Sequence, residues 1–281
     1  MTDTLPPPRS WLFVPADSER KIDKALSGNA DAIIFDLEDS VAPGAKPYAR
    51  DLLKSLGDRQ GGPRWWVRIN PLFAPEHRDD IKLFGKAAFE GIVLPKAESA
   101  VDLDHLAHLT GNIPVHAIVT ETPASLFNLG TYAASNAPLK AMSWGAEDLS
   151  AALGARSKYD ADGHLGFTFR LARSLCLAGA VAAGAQPVDG VFTDFRNMAG
   201  LKEEARAAAS EGFTGKLAIH PDQVDVINAA FTPSDTEIAK AKAIVDAFAA
   251  NPDAGVLDVG GRMVDRPHLV QAETLLVRAK R

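Results

Sequence analysis

The chain has 281 residues, 46% hydrophobic and 23% charged, with a net charge of −6 from 30 basic and 36 acidic side chains. That length suits one large domain with a full core, and the mild acidity argues against a nucleic-acid backbone as partner. The single cysteine, Cys176, rules out an internal disulfide.

Residues 1–8 are polar and Pro-rich, without the regions of a signal peptide. No apolar run approaches the ~18 residues of a membrane span, so the expected location is the cytoplasm. The first strand is predicted at 11–16, followed by a helix that Ser18 caps and that buries Ile22, Ala25 and Leu26. A strand at 32–38 leads to a helix with Pro47 in its first turn, Leu52, Leu53 and Leu56 on one face, and Gly57 at its end. Further strands are predicted at 64–70, 91–96, 115–121 and 139–145. A long loop, 146–166, precedes a helix rich in Leu, Ala and Val that carries Cys176 as a core residue rather than a nucleophile. A seventh strand at 188–194, a helix at 200–211 ended by Gly212, and an eighth strand at 216–221 complete the set, and 222–231 closes it. Several runs are continuously apolar, as strands buried on both faces are. Eight strand–helix repeats predict an α/β fold, a (β/α)8 TIM barrel, over an open doubly wound sheet. A helix at 234–250, a turn at Gly260–Gly261 and a last helix at 266–280 form a C-terminal helical extension. We read residues 1–232 as the catalytic barrel and 233–281 as an extension or lid of the same structural unit.

The informative feature is what ends each strand. Asp36, Glu38 and Asp39 follow the second, Arg68 and Asn70 end the third, and Lys96 the fourth. Glu121 ends the fifth, Glu147 and Asp148 follow the sixth, Asp194 ends the seventh and His220 the eighth. The residues preceding the strands are mostly Gly, Pro, Asn and Ala, so one face of the barrel is functional, and in barrels that is the C-terminal face. Glu121 alone reads as a solvated strand end and Asp148 alone as a helix cap. Together, on adjacent strands without a nearby Cys or His, they favour Mg2+ or Mn2+. The Arg68 fork suits a carboxylate or a developing enolate oxygen, or else an ion pair with Asp36 or Glu38. Asp36 and Glu38 are expected to hold metal-bound waters and Arg68. His220 is either a general base or a structural residue donating to a backbone carbonyl. The Gly-Phe-Thr-Gly-Lys at 212–216 lacks the spacing and the Ser/Thr of a phosphate loop. The Asp-Ala-Asp-Gly at 160–163 lacks the glutamate of a calcium loop.

These pieces match a known pattern. Arg-Ser-Trp-Leu-Phe-Val-Pro at 9–15, Asp-Leu-Glu-Asp-Ser-Val at 36–41, Val-Arg-Ile-Asn at 67–70, Leu-Pro-Lys at 94–96 and Glu-Thr-Pro at 121–123 stand in order. Trp-Gly-Ala-Glu-Asp at 144–148, the 212–216 segment, Ile-His-Pro at 219–221 and Gly-Arg-Met-Val-Asp at 261–265 follow. From about Arg9 onward the chain resembles the citrate lyase β-subunit / malyl-CoA lyase group of CoA-ester lyases, within the HpcH/HpaI aldolase superfamily. The resemblance implies that Glu121 and Asp148 are Mg2+ ligands and that Arg68 binds substrate and stabilises an enolate. It also implies that Asp265 is given by the tail of one subunit to its neighbour's active site, and that Lys24 lies near the CoA phosphates. Arg9, Arg20, Lys21 and Lys24 are expected to form the basic cluster such phosphates need. The implied activity is reversible cleavage of a malyl-CoA or citramalyl-CoA type ester to acetyl-CoA and a 2-oxo acid, by a homotrimer or dimer of trimers. A malyl-CoA-type thioesterase, a citryl-CoA lyase subunit and a class II aldolase on free acids are the alternatives. No nucleic-acid or membrane partner is expected.

Overall fold

Short strands rich in Val, Ile, Leu and Ala set the architecture. The computed structural model describes residues 6–57, 61–85 and 89–280. It divides the chain into two compact units, Pro8–Asn228 and a second from Ala229 onward. The first is a closed parallel barrel of β1 (Ser10–Pro15), β2 (Ala32–Asp36), β3 (Arg64–Arg68), β4 (Gly91–Leu94), β5 (Val115–Val119), β6 (Leu139–Trp144), β7 (Gln186–Asp189) and β8 (Gly215–Ala218). Closure pairs Trp11 with Leu217 and Leu12 with Ala218, in parallel register. Helices α1 (Glu19–Leu26), α2 (Lys46–Ser55), α3 (His77–Asp80), α4 (Ala100–Thr110), α5 (Pro123–Asn128), α6 (Ala146–Leu153), α7 (Phe167–Ala182) and α8 (Met198–Glu211) fill the connections, and α9 (Val224–Ala230) follows β8.

Every strand contributes to the interior. Trp11, Ala32, Ile34, Trp66, Val93, Ile118, Ala141, Val188 and Leu217 form one buried cluster, the layered filling of a barrel whose centre is packed rather than open. Gly91 makes room for it, since a Cβ there would stand 2.3 Å from the Trp66 ring and 2.5 Å from the Pro114 carbonyl oxygen. Cys176 is fully buried on α7, a packing residue as expected. Among the described residues no helix is long and apolar enough to cross a membrane.

One titratable group lies inside this core. His116 is fully buried, packs its ring on Trp11 at 4.6 Å, and sets Nε2 2.9 Å from the Ser143 hydroxyl. Burial pushes its imidazole down from 6.5 to about 3. Between those values the unfolded chain binds a proton that the folded protein refuses, so stability rises with pH across that window and falls on acidification. Going from pH 7 to pH 5 should therefore cost about 2 kcal/mol through His116 alone. Denaturant melts of wild type and His116→Gln at both pH values check this, and an equal loss in the two proteins would refute it.

The structure corrects four local expectations. Residues 146–153 are helix α6 rather than loop, stopped by Gly154 at φ 65°; at eight residues it is too short to show a clear period. The seventh strand runs Gln186–Asp189, not 188–194. It includes Pro187, a residue normally read as a strand breaker, and the chain beyond it packs Gly190 on Trp144, where a Cβ would stand 2.9 Å from Nε1. Ser18 stands at the start of α1, but its side chain makes no capping bond. In the second unit the Gly260–Gly261 turn joins a hairpin, β9 (Val256–Val259) and β10 (Arg262–Asp265). Both glycines have positive φ, 63° and 78°, the requirement of a tight two-residue hairpin turn. That unit also holds α10 (Asp235–Ala250), capped reciprocally by Ser234 and Glu237, and α11 (Arg266–Arg278), and these two helices pack together.

Candidate active site

The C-terminal ends of β2 to β6 bring acids and bases into one cluster. Arg68, at the end of β3, reaches Asp36 at the end of β2 with both arms of its fork: Nε to Oδ1 at 2.7 Å and Nη2 to Oδ2 at 2.6 Å. Its third nitrogen, Nη1, lies 2.7 Å from Glu38, and the guanidinium covers the Phe13 ring at 4.7 Å. Burial opposes ionisation of Asp36, but Arg68 and the N–H groups of Glu38 and Ser40 outweigh it and hold the carboxyl below its usual range. Glu38 is pushed up by burial despite Arg68 and Lys96. Behind β3, Asn70 donates to Asp80 and to the Leu37 carbonyl, and Asp80 is paired with Arg50 of α2. That buried network fixes the exit of the strand carrying Arg68.

Lys96, which follows β4, was expected only as a charged strand end. It meets three acids. Its ammonium lies 2.5 Å from Glu38 and 3.2 Å from Asp148, and its backbone N–H donates to Glu121. Its backbone is left-handed, at φ 51°, as is that of Thr120 at 64°, immediately before Glu121. Side chains with a Cβ rarely hold this conformation, least of all a β-branched one, and such strain concentrates at functional positions. Glu121 is 3% exposed. Burial, reinforced by the charges of Asp148 and Glu38 and opposed by Lys96, pushes its carboxyl up to about 8. The side chain lies flat over Gly145, where a Cβ would stand 2.6 Å from Glu121 Cγ. Asp148, in the first turn of α6, follows three residues later.

The balance of charge is the telling feature. Two cations, Arg68 and Lys96, face five carboxyl groups: Asp36, Glu38, Glu121, Asp148 and the more exposed Asp39, 3.9 Å from both cations. Carboxyl groups in such excess over cations in a partly dry site suit a divalent cation, which would favour the ionised form of Glu121. Among the described residues no three His, Cys, Asp or Glu side chains form a ready cage for one. A pair of carboxylates with positions left for water and substrate oxygens is nonetheless a normal Mg2+ site, and Glu121 and Asp148 fit it. A cavity of about 240 Å3 adjoins Lys96, bordered by Leu72, Phe73, Pro95 and Ala97.

Other expected residues lie elsewhere. Arg9 precedes β1, so it stands at the opposite end of the barrel, where its guanidinium grips Asp31 at 2.8 Å. It does not join Arg68, Glu121 and Asp148. Lys24 is exposed in the last turn of α1. His220 Nδ1 accepts the Asp222 N–H at 3.2 Å, and its ring stacks on Phe195. Asp194 lies beyond the end of β7, and the acid at that strand end is Asp189, fully buried. Asp189 accepts from Trp144 Nε1 and Arg173 Nε, both at 2.8 Å, and from Lys216 Nζ at 2.8 Å. The lysine of the 212–216 segment is thus part of a buried ion network. In the second unit, Asp265 caps α11, with the His268 ring 2.5 Å away holding its carboxyl below the usual range.

A closed eight-stranded parallel barrel with acids and bases gathered at its strand C-termini is the arrangement of barrel enzymes. Residues 9–221 match the model of one such group, and the chain belongs to the HpcH/HpaI aldolase/citrate lyase family. It is 38% identical to a (3S)-malyl-CoA thioesterase of Cereibacter sphaeroides over 98% of this chain and 95% of the relative. It is 32% identical to an L-malyl-CoA/beta-methylmalyl-CoA lyase from the same species, again over 98% and 95%. Among solved structures it resembles protein CitE from Mycobacterium tuberculosis in complex with magnesium, acetoacetate and coenzyme A. The TM-score is 0.85 at 38% identity, covering 97% of this chain and 98% of the other.

Proposed function

We propose that this protein is a Mg2+-dependent carbon–carbon lyase that cleaves a 3-hydroxy-3-carboxyacyl-CoA, of malyl-CoA or citramalyl-CoA type, to acetyl-CoA and a 2-oxo acid. The observation that carries the reading is the excess of carboxyl groups over cations around Glu121 and Asp148, beside a clamped arginine. The magnesium and coenzyme A held by the similar CitE structure support it. Glu121 and Asp148 would hold the ion. When bound, it acidifies the substrate hydroxyl and stabilises the carbonyl oxygen that the hydroxyl becomes.

The remaining work falls to the protein. Arg68, fixed by Asp36 and Glu38, cannot turn away and offers its charge to the thioester oxygen as the carbon–carbon bond breaks and an enolate forms. Preorganisation of this kind costs no rearrangement at the moment of reaction. Asp265 of a neighbouring subunit accepts the hydroxyl proton and delivers it to the enolate carbon, so that the hydrogen lost by the hydroxyl becomes the third hydrogen of the acetyl methyl group. Lys24, with Arg20 and Lys21 on the same helix, faces the CoA phosphates. The working form is a homotrimer or dimer of trimers in the cytoplasm.

Asp265→Asn tests the reading. Cleavage should slow by about a hundredfold or more, with Mg2+ and CoA-ester binding nearly unchanged; a full cleavage rate would overturn Asp265's role. A second reading, hydrolysis of the same ester, is favoured by the similarity to a malyl-CoA thioesterase. Product analysis separates the two, since cleavage releases acetyl-CoA and hydrolysis releases free CoA.

A further inference from the structure

Lys96 ties Glu38, Glu121 and Asp148 together, as Arg68 ties Asp36 and Glu38. Its peptide N–H donates to Glu121, its ammonium bridges Glu38 and Asp148, and Asp39 lies 3.9 Å away. The left-handed backbone at φ 51° makes this double engagement possible, because it turns the N–H toward β5 while the side chain runs back across the mouth. A lysine placed only to hold Asp148 would have no need of so unfavourable a backbone. The ammonium is also more weakly committed to Asp148, at 3.2 Å, than to Glu38, at 2.5 Å. Lys96 also borders the cavity next to Phe73.

We propose that the Lys96 ammonium is an internal counter-cation, held against Asp148 until a divalent ion displaces it, and that it thereby sets the metal affinity of the site. This rests on the reading of Glu121 and Asp148 as metal ligands. Displaced from Asp148, the ammonium keeps Glu38 and gains donors free to face the cavity. Metal binding and the appearance of a hydrogen-bond donor for an anionic or carbonyl substrate oxygen then become one event.

The proposal has an unusual sign. Removing a residue that merely props Asp148 would weaken metal binding; removing a competing cation strengthens it. Lys96→Met, titrated calorimetrically with Mg2+ alone, should bind on the order of tenfold more tightly than wild type, while Lys96→Arg, which keeps the charge, should stay near the wild-type value. At saturating Mg2+ the methionine variant should show a raised KM for the CoA ester. Lys96→Gln and the Mg2+-induced rise in Tm give the same comparison should the methionine variant fold poorly, with a larger rise in the uncharged variant. Unchanged or weaker Mg2+ binding in the uncharged variants overturns the proposal and leaves the metal site standing. A wild type that binds no Mg2+ overturns both.

Discussion

Glu121→Gln is expected to abolish Mg2+ binding and to lower turnover by at least about a thousandfold, without unfolding the protein. The substitution keeps the shape of the side chain over Gly145 and leaves an amide oxygen to accept the Lys96 N–H. What it removes is the carboxylate that the metal would bind. Burial already pushes this carboxyl up to about 8, so without a metal folding at neutral pH must protonate a group that is ionised in the unfolded chain, at a cost to stability. The metal-free variant should therefore melt at or above the temperature of metal-free wild type. Function lost and stability kept or gained is the signature of a group placed for a ligand. Calorimetric titration with Mg2+, a coupled assay and parallel melts measure all three. Retained Mg2+ dependence would remove Glu121 from the metal site.

The second large effect concerns stability. Asp189→Ala should destabilise the barrel by about 3–5 kcal/mol, because it leaves the buried Lys216 without its main partner and strips acceptors from Arg173 and Trp144. Glu204, the other acid on Lys216, is 44% exposed and is a poor substitute. Lys216 is itself fully buried, so the double variant Asp189→Ala/Lys216→Met should recover much of the loss. A denaturant series on the single and double variants checks this, and simple additivity of the two losses would refute the pairing.

Much of the fold was legible because a barrel strand buried on both faces must be apolar throughout, and eight such runs between helical stretches leave few architectures. Glu121, Asp148 and Arg68 were legible because they stand directly at those strand ends. Lys96 was harder to read. Its importance depends on a left-handed backbone that aims one N–H at a neighbouring strand, and nothing in Leu-Pro-Lys announces that. Asp189 and Lys216 escaped because a buried ion network has no local pattern; its members meet only across the β7–β8 register.

Closure of the sheet has one more consequence. A barrel whose first strand pairs with its eighth has no strand edge to offer another chain. Among the described strands, open edges remain only in the two-stranded hairpin of β9 and β10, where Met263 is 78% and Val256 54% exposed. Hazard of edge-to-edge aggregation is thus confined to a few residues of the tail. The barrel itself is free to carry continuously apolar strands that would make an open sheet sticky.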